Sequence, residues 1–287
     1  MTDNASKPKI DLHMHTTLSD GKLTPTELVR LLAERDVSIA AISDHDSTEG
    51  LDEAFAVAAA YPGLRLVPAI EISADHPIDT KGDIHMLGYF LDYHQEAFQA
   101  KLLSFREDRE YRGYHMVQRL AEQGYSVDWE RVKAIAADAG IGRPHIAQAL
   151  VERGYIAQVR DAFNGLLNDD GIAFVDRPHI STRDAVDMIR GVGGVAVLAH
   201  PVFLPDYRDV IARLPDLGVE GIEVHYAEFD SELRKELGEL ADRYGLLQCG
   251  GSDYHAMGYD GENLPGTAGP PLEVLEELER RAKSRSS

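Results

Sequence analysis

Short apolar runs that end in histidines and carboxylates recur along this chain. Runs at 8–12, 38–43, 64–72, 83–89, 195–199, 219–224 and 246–250 have the length and side chains of buried strands. Helical stretches separate them. Thr24-Pro25-Thr26-Glu27 is a capping box with proline in the first turn, and Leu28, Leu31 and Leu32 form the apolar stripe of a helix to about Arg35. An alanine-rich helix follows over 50–61, and another begins at Ser181 or Thr182 after a short apolar run at 172–175 that reads as the resumption of strand.

The alternation breaks once. Residues 96–123, 128–139, 143–153 and 157–167 read as successive helices with no strand between them, punctuated by Gly124, Gly140 and Gly154. The pattern predicts an α/β fold, a distorted (β/α)7 TIM-like barrel of parallel strands over 1–95 and 171–287, with an all-helical insertion over 96–170. In such a barrel the C-terminal strand ends open onto one face, and the polar clusters here all follow strands. The chemistry is therefore expected on that face.

At 287 residues with 44% hydrophobic content, the chain can bury a sizeable core. No apolar run approaches the roughly 20 residues that span a bilayer, and Met1 to Pro8 is polar, so the expectation is a cytoplasmic protein without a membrane partner. One cysteine, Cys249, excludes an internal disulfide and a cysteine-based zinc site, and its apolar strand marks it as a buried structural thiol. A net charge of -20 argues against sequence-independent binding of long nucleic acid. A small phosphorylated substrate remains compatible, because metal ions and a few arginines reverse the potential inside one pocket. The insertion's first helix carries Lys101, Arg106, Arg109, Arg112 and Arg119, and its third opens with Arg143-Pro144-His145, a helix start that favours anions.

His13 and His15 alternate at the end of the first strand, so both imidazoles leave it on the same side. Of the twelve histidines, seven lie at or next to strand ends: His13, His15, His45, His85, His200, His225 and His255. With Asp20, Asp44, Glu71 and Asp253 they exceed the three or four protein ligands of one zinc ion, which points to two or three metals sharing a carboxylate. Glu71, a charge inside the apolar run Val67 to Ile72, is the natural bridging residue. Adjacent metals that share a bridging water suit phosphoester hydrolysis by attack of a bridging hydroxide.

These residues resemble a known family. His13-Met14-His15 with Asp20, Asp44-His45, Glu71, His85, Leu198-Ala199-His200-Pro201 and Gly251-Ser252-Asp253-Tyr254-His255 are similar to the motifs of the PHP (polymerase and histidinol phosphatase) family, over nearly the whole chain. The branch they resemble comprises stand-alone 3',5'-nucleotide bisphosphate phosphatases and 5'-to-3' exoribonucleases. The resemblance implies a trinuclear manganese, iron or zinc centre, with one ion on His13, His15, Glu71 and Asp253. A second would lie on Glu71, His85 and His200, and a third on Asp20, His45 and His255. Arg143 and His145 would meet the substrate phosphate, with Arg177, Arg109 or Arg112 available to a second phosphate. Asp44 and His225 have no ligand place in that scheme; Asp44 is expected to serve catalysis by orienting a ligand histidine.

One departure affects specificity. Where the family carries a lysine in a glycine-containing turn, this chain has Asn168-Asp169-Asp170-Gly171, which puts the bisphosphate preference in question without touching the phosphoesterase chemistry. The expected activity is hydrolysis of the 3'-phosphate of a nucleotide bisphosphate. Alternatives are stepwise hydrolysis of short RNA, dephosphorylation of histidinol phosphate, hydrolysis at carbon, and a non-catalytic scaffold.

Overall fold

The computed structural model describes residues 8–77, 83–137, 140–168, 171–175 and 180–285. Among these residues, seven strands form one curled sheet in sequence order: β1 (Ile10–Asp11), β2 (Ile39–Ile42), β3 (Arg65–Asp75), β4 (Asp83–Tyr89), β5 (Val195–Leu198), β6 (Gly221–Glu223) and β7 (Leu247–Cys249). Helices α1 (Pro25–Glu34) and α2 (Leu51–Ala58) flank β2, and α3 (Glu96–Glu122), α4 (Trp129–Ala136) and α5 (Arg143–Glu152) follow β4. The alternation then resumes with α6 (Thr182–Gly191), α7 (Tyr207–Leu217), α8 (Ser231–Tyr244) and the C-terminal α9 (Leu272–Arg285). This is the expected distorted TIM-like barrel. None of the described helices is long and apolar enough to cross a membrane.

The elements form for local reasons. Thr24 accepts the Glu27 backbone N–H while Glu27 reaches back to the Thr24 backbone, which closes the capping box of α1. Ser181 caps α6 in the same position, and Gly218 and Gly245 end α7 and α8 in the left-handed conformation. Every residue of β2 and β5 is buried, as both faces of the sheet are covered. One face packs on α6, α7 and α8 through Ile70, Ile72, Ile189, Val210 and Leu237. On the other, Leu12, Leu87, Tyr89 and Val197 meet Leu275 and Leu278 of α9.

One expectation is corrected here. The strands are not all parallel: β4 runs antiparallel to both β3 and β5. Parallel neighbours need a crossover of a dozen or more residues, and only seven separate Asp75 from Asp83. A hairpin is all that this connection allows. Its consequence is that β4 offers its N-terminal half to the face where its neighbours offer their C-terminal ends, and His85 pairs in register with Ser73 there.

Other differences are smaller. The run 172–175 is turn rather than strand, and of 157–167 only Val159–Phe163 is helical, as a 3-10 turn. The helix expected over 128–139 ends at Ala136. Met116, Leu120, Val132, Ile146 and Leu150 of α3, α4 and α5 build an apolar cluster of their own. The face of the sheet that holds the site therefore looks onto a separately packed group of helices.

Candidate metal centre

The edges of the curled sheet meet at the site. Beyond the short strands, Asp253 N–H donates to the His13 carbonyl at 2.8 Å and His15 N–H to the Tyr254 carbonyl at 2.9 Å. These bonds lay the end of β7 beside the end of β1, which brings Asp253 and His255 to His13 and His15. Gly251 makes the approach possible, because a Cβ there would stand 2.4 Å from the His13 nitrogen. A bridge between His45 and Glu71 likewise lays the chain beyond β2 against the middle of β3.

Glu71 lies at the centre, wholly buried. Its Oε2 stands 3.2 Å from each of His13 Nε2, His15 Nε2 and His45 Nδ1. Its Oε1 faces a different pair, His85 Nδ1 at 2.9 Å and His200 Nε2 at 3.3 Å. Asp253 Oδ1 completes the first group, 3.2 Å from both His13 Nε2 and His15 Nε2. Asp20 gathers another, with His255 Nε2 at 3.3 Å, His15 Nδ1 at 3.8 Å and His45 Nε2 at 3.9 Å.

The donor set fits metal ions. His15 Nε2, His45 Nδ1 and His85 Nδ1 are buried without a hydrogen bond, although a carboxylate oxygen is close to each. Nitrogen and oxygen that lie near one another but do not point at one another are what two ligands of one ion look like. Ligands about 2.0–2.2 Å from an ion stand roughly 3.0–3.5 Å apart, the spacing around Glu71. Among the described residues, three groups of atoms meet the requirement: His15 with Asp20, His45 and His255; His13 with His15 and Glu71; and His45 with Glu71 and His85. His45 belongs to two of them, one ring nitrogen toward Asp20 and the other toward Glu71.

Charge in the cluster is strongly coupled. Burial favours the neutral acid at Glu71, yet His45, His13 and His85 hold its carboxyl well below the usual range. Burial likewise disfavours the proton on His15, but Asp253 and Glu71 draw its pKa up to about 10. At His45 burial prevails over Glu71 and Asp20, and the ring falls to about 3.

Asp44 stands outside these groups. It is buried and accepts from the Thr16 N–H at 2.7 Å, the Thr16 hydroxyl at 2.7 Å and the Ser19 hydroxyl at 2.6 Å, so it fixes the loop beneath His15. His225 is half-buried and absent from the ligand groups. Two carboxylates that the sequence reading passed over also support the site. Glu223, wholly buried, lies 3.1 Å from His13 Nδ1 and accepts the His200 backbone N–H at 2.8 Å. Asp11 accepts the N–H groups of Ser252 and Gly266 at 2.9 and 2.8 Å, tying the two edges of the sheet together. Both interrupt apolar strands, the signal that singled out Glu71.

A cleft of about 220 Å³ lies between the cluster and the helices, lined by Asp20, His45, His85, Arg109, Arg143 and His145 among others. Arg143 begins α5, donates to the Leu167 carbonyl at 3.3 Å and stands 4.0 Å from Asp83. His145 Nδ1 accepts the Gly142 N–H at 3.0 Å, which leaves the proton of its neutral ring on Nε2, and burial lowers its pKa to about 4. Arg109 is engaged: it donates to Asp46 through two nitrogens and to the Ser73 hydroxyl at 2.9 Å. Arg112 donates to the Val175 carbonyl at 2.9 Å. Arg177 lies outside the described residues. Cys249 is buried, and burial raises its thiol pKa, in keeping with a structural role.

Histidines and carboxylates gathered around one buried glutamate, at the strand ends of a barrel, are the arrangement of a metal-dependent hydrolase. Residues 11–168 match the family model of the PHP domain, and the chain belongs to that family. It is 35% identical over 280 residues to the 3',5'-nucleoside bisphosphate phosphatase of Chromobacterium violaceum, covering 95% of this chain and 97% of that protein. It is 32% identical over 251 residues to a 5'-3' exoribonuclease of Haemophilus influenzae, covering 86% and 90%. Among solved structures, a metal-dependent phosphoesterase assigned in Bifidobacterium adolescentis superposes with a TM-score of 0.82 at 32% identity, covering 96% of this chain and 98% of that one. The chain is thus an enzyme, a phosphoesterase of the PHP family.

Proposed function

We propose that this enzyme hydrolyses a phosphate monoester of a small nucleotide, foremost the 3'-phosphate of a 3',5'-nucleotide bisphosphate. The observation that carries the reading is Glu71, whose two oxygens face two different sets of imidazoles. Such a carboxylate suits a pair of ions. His13, His15 and Asp253 with Glu71 Oε2 would hold one, and His85 and His200 with Glu71 Oε1 another; Asp20, His45 and His255 offer a third place. Manganese, iron or zinc there would supply Lewis acidity toward phosphoryl oxygen and an activated water.

The chain's own residues do the rest. Arg143, at the first turn of α5, brings a permanent positive charge and a helix N-terminus to the cleft, where both favour a phosphate group. His145 stays neutral there as a hydrogen-bond donor. Asp44, through Thr16 and Ser19, holds His15 in place. The Chromobacterium relative, matched over almost its full length, supports a nucleotide bisphosphate as substrate.

The test is phosphate release by manganese-loaded protein from adenosine 3',5'-bisphosphate, histidinol phosphate and a short 5'-phosphorylated RNA. Preferential release from the bisphosphate is expected. Stepwise shortening of the RNA in its place would make the enzyme a nuclease, and release from histidinol phosphate alone would overturn the nucleotide reading.

A further inference from the structure

Beside the metal cluster, on the turn after β5, one aromatic ring is left out of the core. The 3-10 turn Pro201–Phe203 buries Pro201, and Val202 and Leu204 pack against the apolar cluster beneath α7 and α8. Phe203 between them is 57% exposed. It is nonetheless held in place. Its ring lies 5.9 Å from Tyr226 and 6.4 Å from Phe229, both nearly edge-on, and both of those rings are buried. Tyr226 is itself fixed by its hydroxyl, which donates to Asp253 at 2.8 Å.

The position of this ring relates it to the reaction. Phe203 stands 5.2 Å from the His200 imidazole, His200 stands 5.2 Å from His85, and His85 stands 4.8 Å from His45, which lines the cleft. A continuous series of rings thus runs from the cleft to an exposed aromatic face. The backbone at His200 supports it: φ is +27°, a conformation seldom taken by a residue with a side chain, and the Glu223 carboxylate secures the His200 N–H. The cation–ring contacts among the described residues fall elsewhere, on Phe90, Phe105, Phe163 and Tyr207.

We propose that Phe203 is the base platform of the substrate site, on which the purine or pyrimidine of the bound nucleotide stacks while its phosphates lie in the cleft between the metal cluster and Arg143. The inference rests on the nucleotide reading above. Stacking suits an acidic protein, because it recognises a ring by its face and needs no charge. It also accounts for an exposed phenylalanine that is braced on two sides by buried rings.

Binding to the manganese-loaded enzyme, measured by calorimetry, tests it with adenosine 5'-monophosphate and ribose 5-phosphate, which differ only at the base and its anomeric carbon. The wild type is expected to bind the nucleotide at least about tenfold more tightly. Phe203→Ala should remove most of that difference and leave the ribose 5-phosphate affinity and the metal content unchanged, while Phe203→Trp should keep the difference. Equal affinities in the wild type, an undiminished difference in Phe203→Ala, or equal weakening of both ligands in that variant would each overturn the platform. A nucleotide preference that depends on Phe203, in an enzyme releasing no phosphate from the bisphosphate, would sustain the platform and refute the turnover reading instead.

Discussion

Glu223 Oε1 stands 3.1 Å from His13 Nδ1, on the side of the ring opposite the nitrogen that faces Glu71. Both residues are wholly buried. A carboxylate behind an imidazole fixes its tautomer, aims its free nitrogen and raises its basicity as a ligand. Here the same carboxylate also takes the His200 N–H, so it positions two candidate ligands from different strands. Glu223→Gln is expected to weaken manganese binding by about 10–100-fold while the circular dichroism spectrum stays that of the wild type. Competition with a fluorescent chelator reads the change, and an unaltered affinity would reduce Glu223 to a packing residue.

Proton release should accompany metal binding. Without metal, His15 has its pKa raised to about 10, so it carries a proton at pH 7; a ligand imidazole must give that proton up. Apparent metal affinity is therefore expected to rise as pH rises toward that value and to fall on acidification. Calorimetric titration with manganese at pH 7.5, in buffers of different ionisation enthalpy, checks the sign. Binding without net proton release would show that His15 is already neutral.

Gly251 should tolerate no side chain. A Cβ would meet the His13 backbone nitrogen at 2.4 Å and its Cβ at 2.5 Å, and backbone cannot rotate away as a flexible side chain can. Gly251→Ala is expected to destabilise the fold by about 1–3 kcal/mol and to lose metal binding, because the change separates the ends of β1 and β7. Gly63→Ala, where nothing lies within 4 Å, serves as the control. Equal melting temperatures for the two variants would show that the edges of the sheet can part without harm.

How much of this could be read from the chain depended on distance in sequence. Histidines at strand ends are local features, so His13, His15, His45, His85, His200 and His255 were legible, and a charge inside the run Val67 to Ile72 marked Glu71. Glu223 and Asp11 carry the same mark inside Gly221 to Val224 and Ile10 to Leu12. The reversal of β4 was also written in the shortness of its connection. Pairings across long separations were not legible. Arg109 meets Asp46 only because α3 lies over the end of β2, which no local pattern announces. The exposure of Phe203 likewise depends on how its neighbours in the turn pack.

The most direct measurement concerns Glu71. Bound manganese per chain and phosphate release from adenosine 3',5'-bisphosphate should be determined for the wild type and Glu71→Gln. If two ions share this carboxylate, the variant binds less metal and loses about a thousandfold or more in turnover, with the barrel still folded. Full metal content and turnover within about tenfold of the wild type would contradict the bridge, and with it the chemistry assigned to the site.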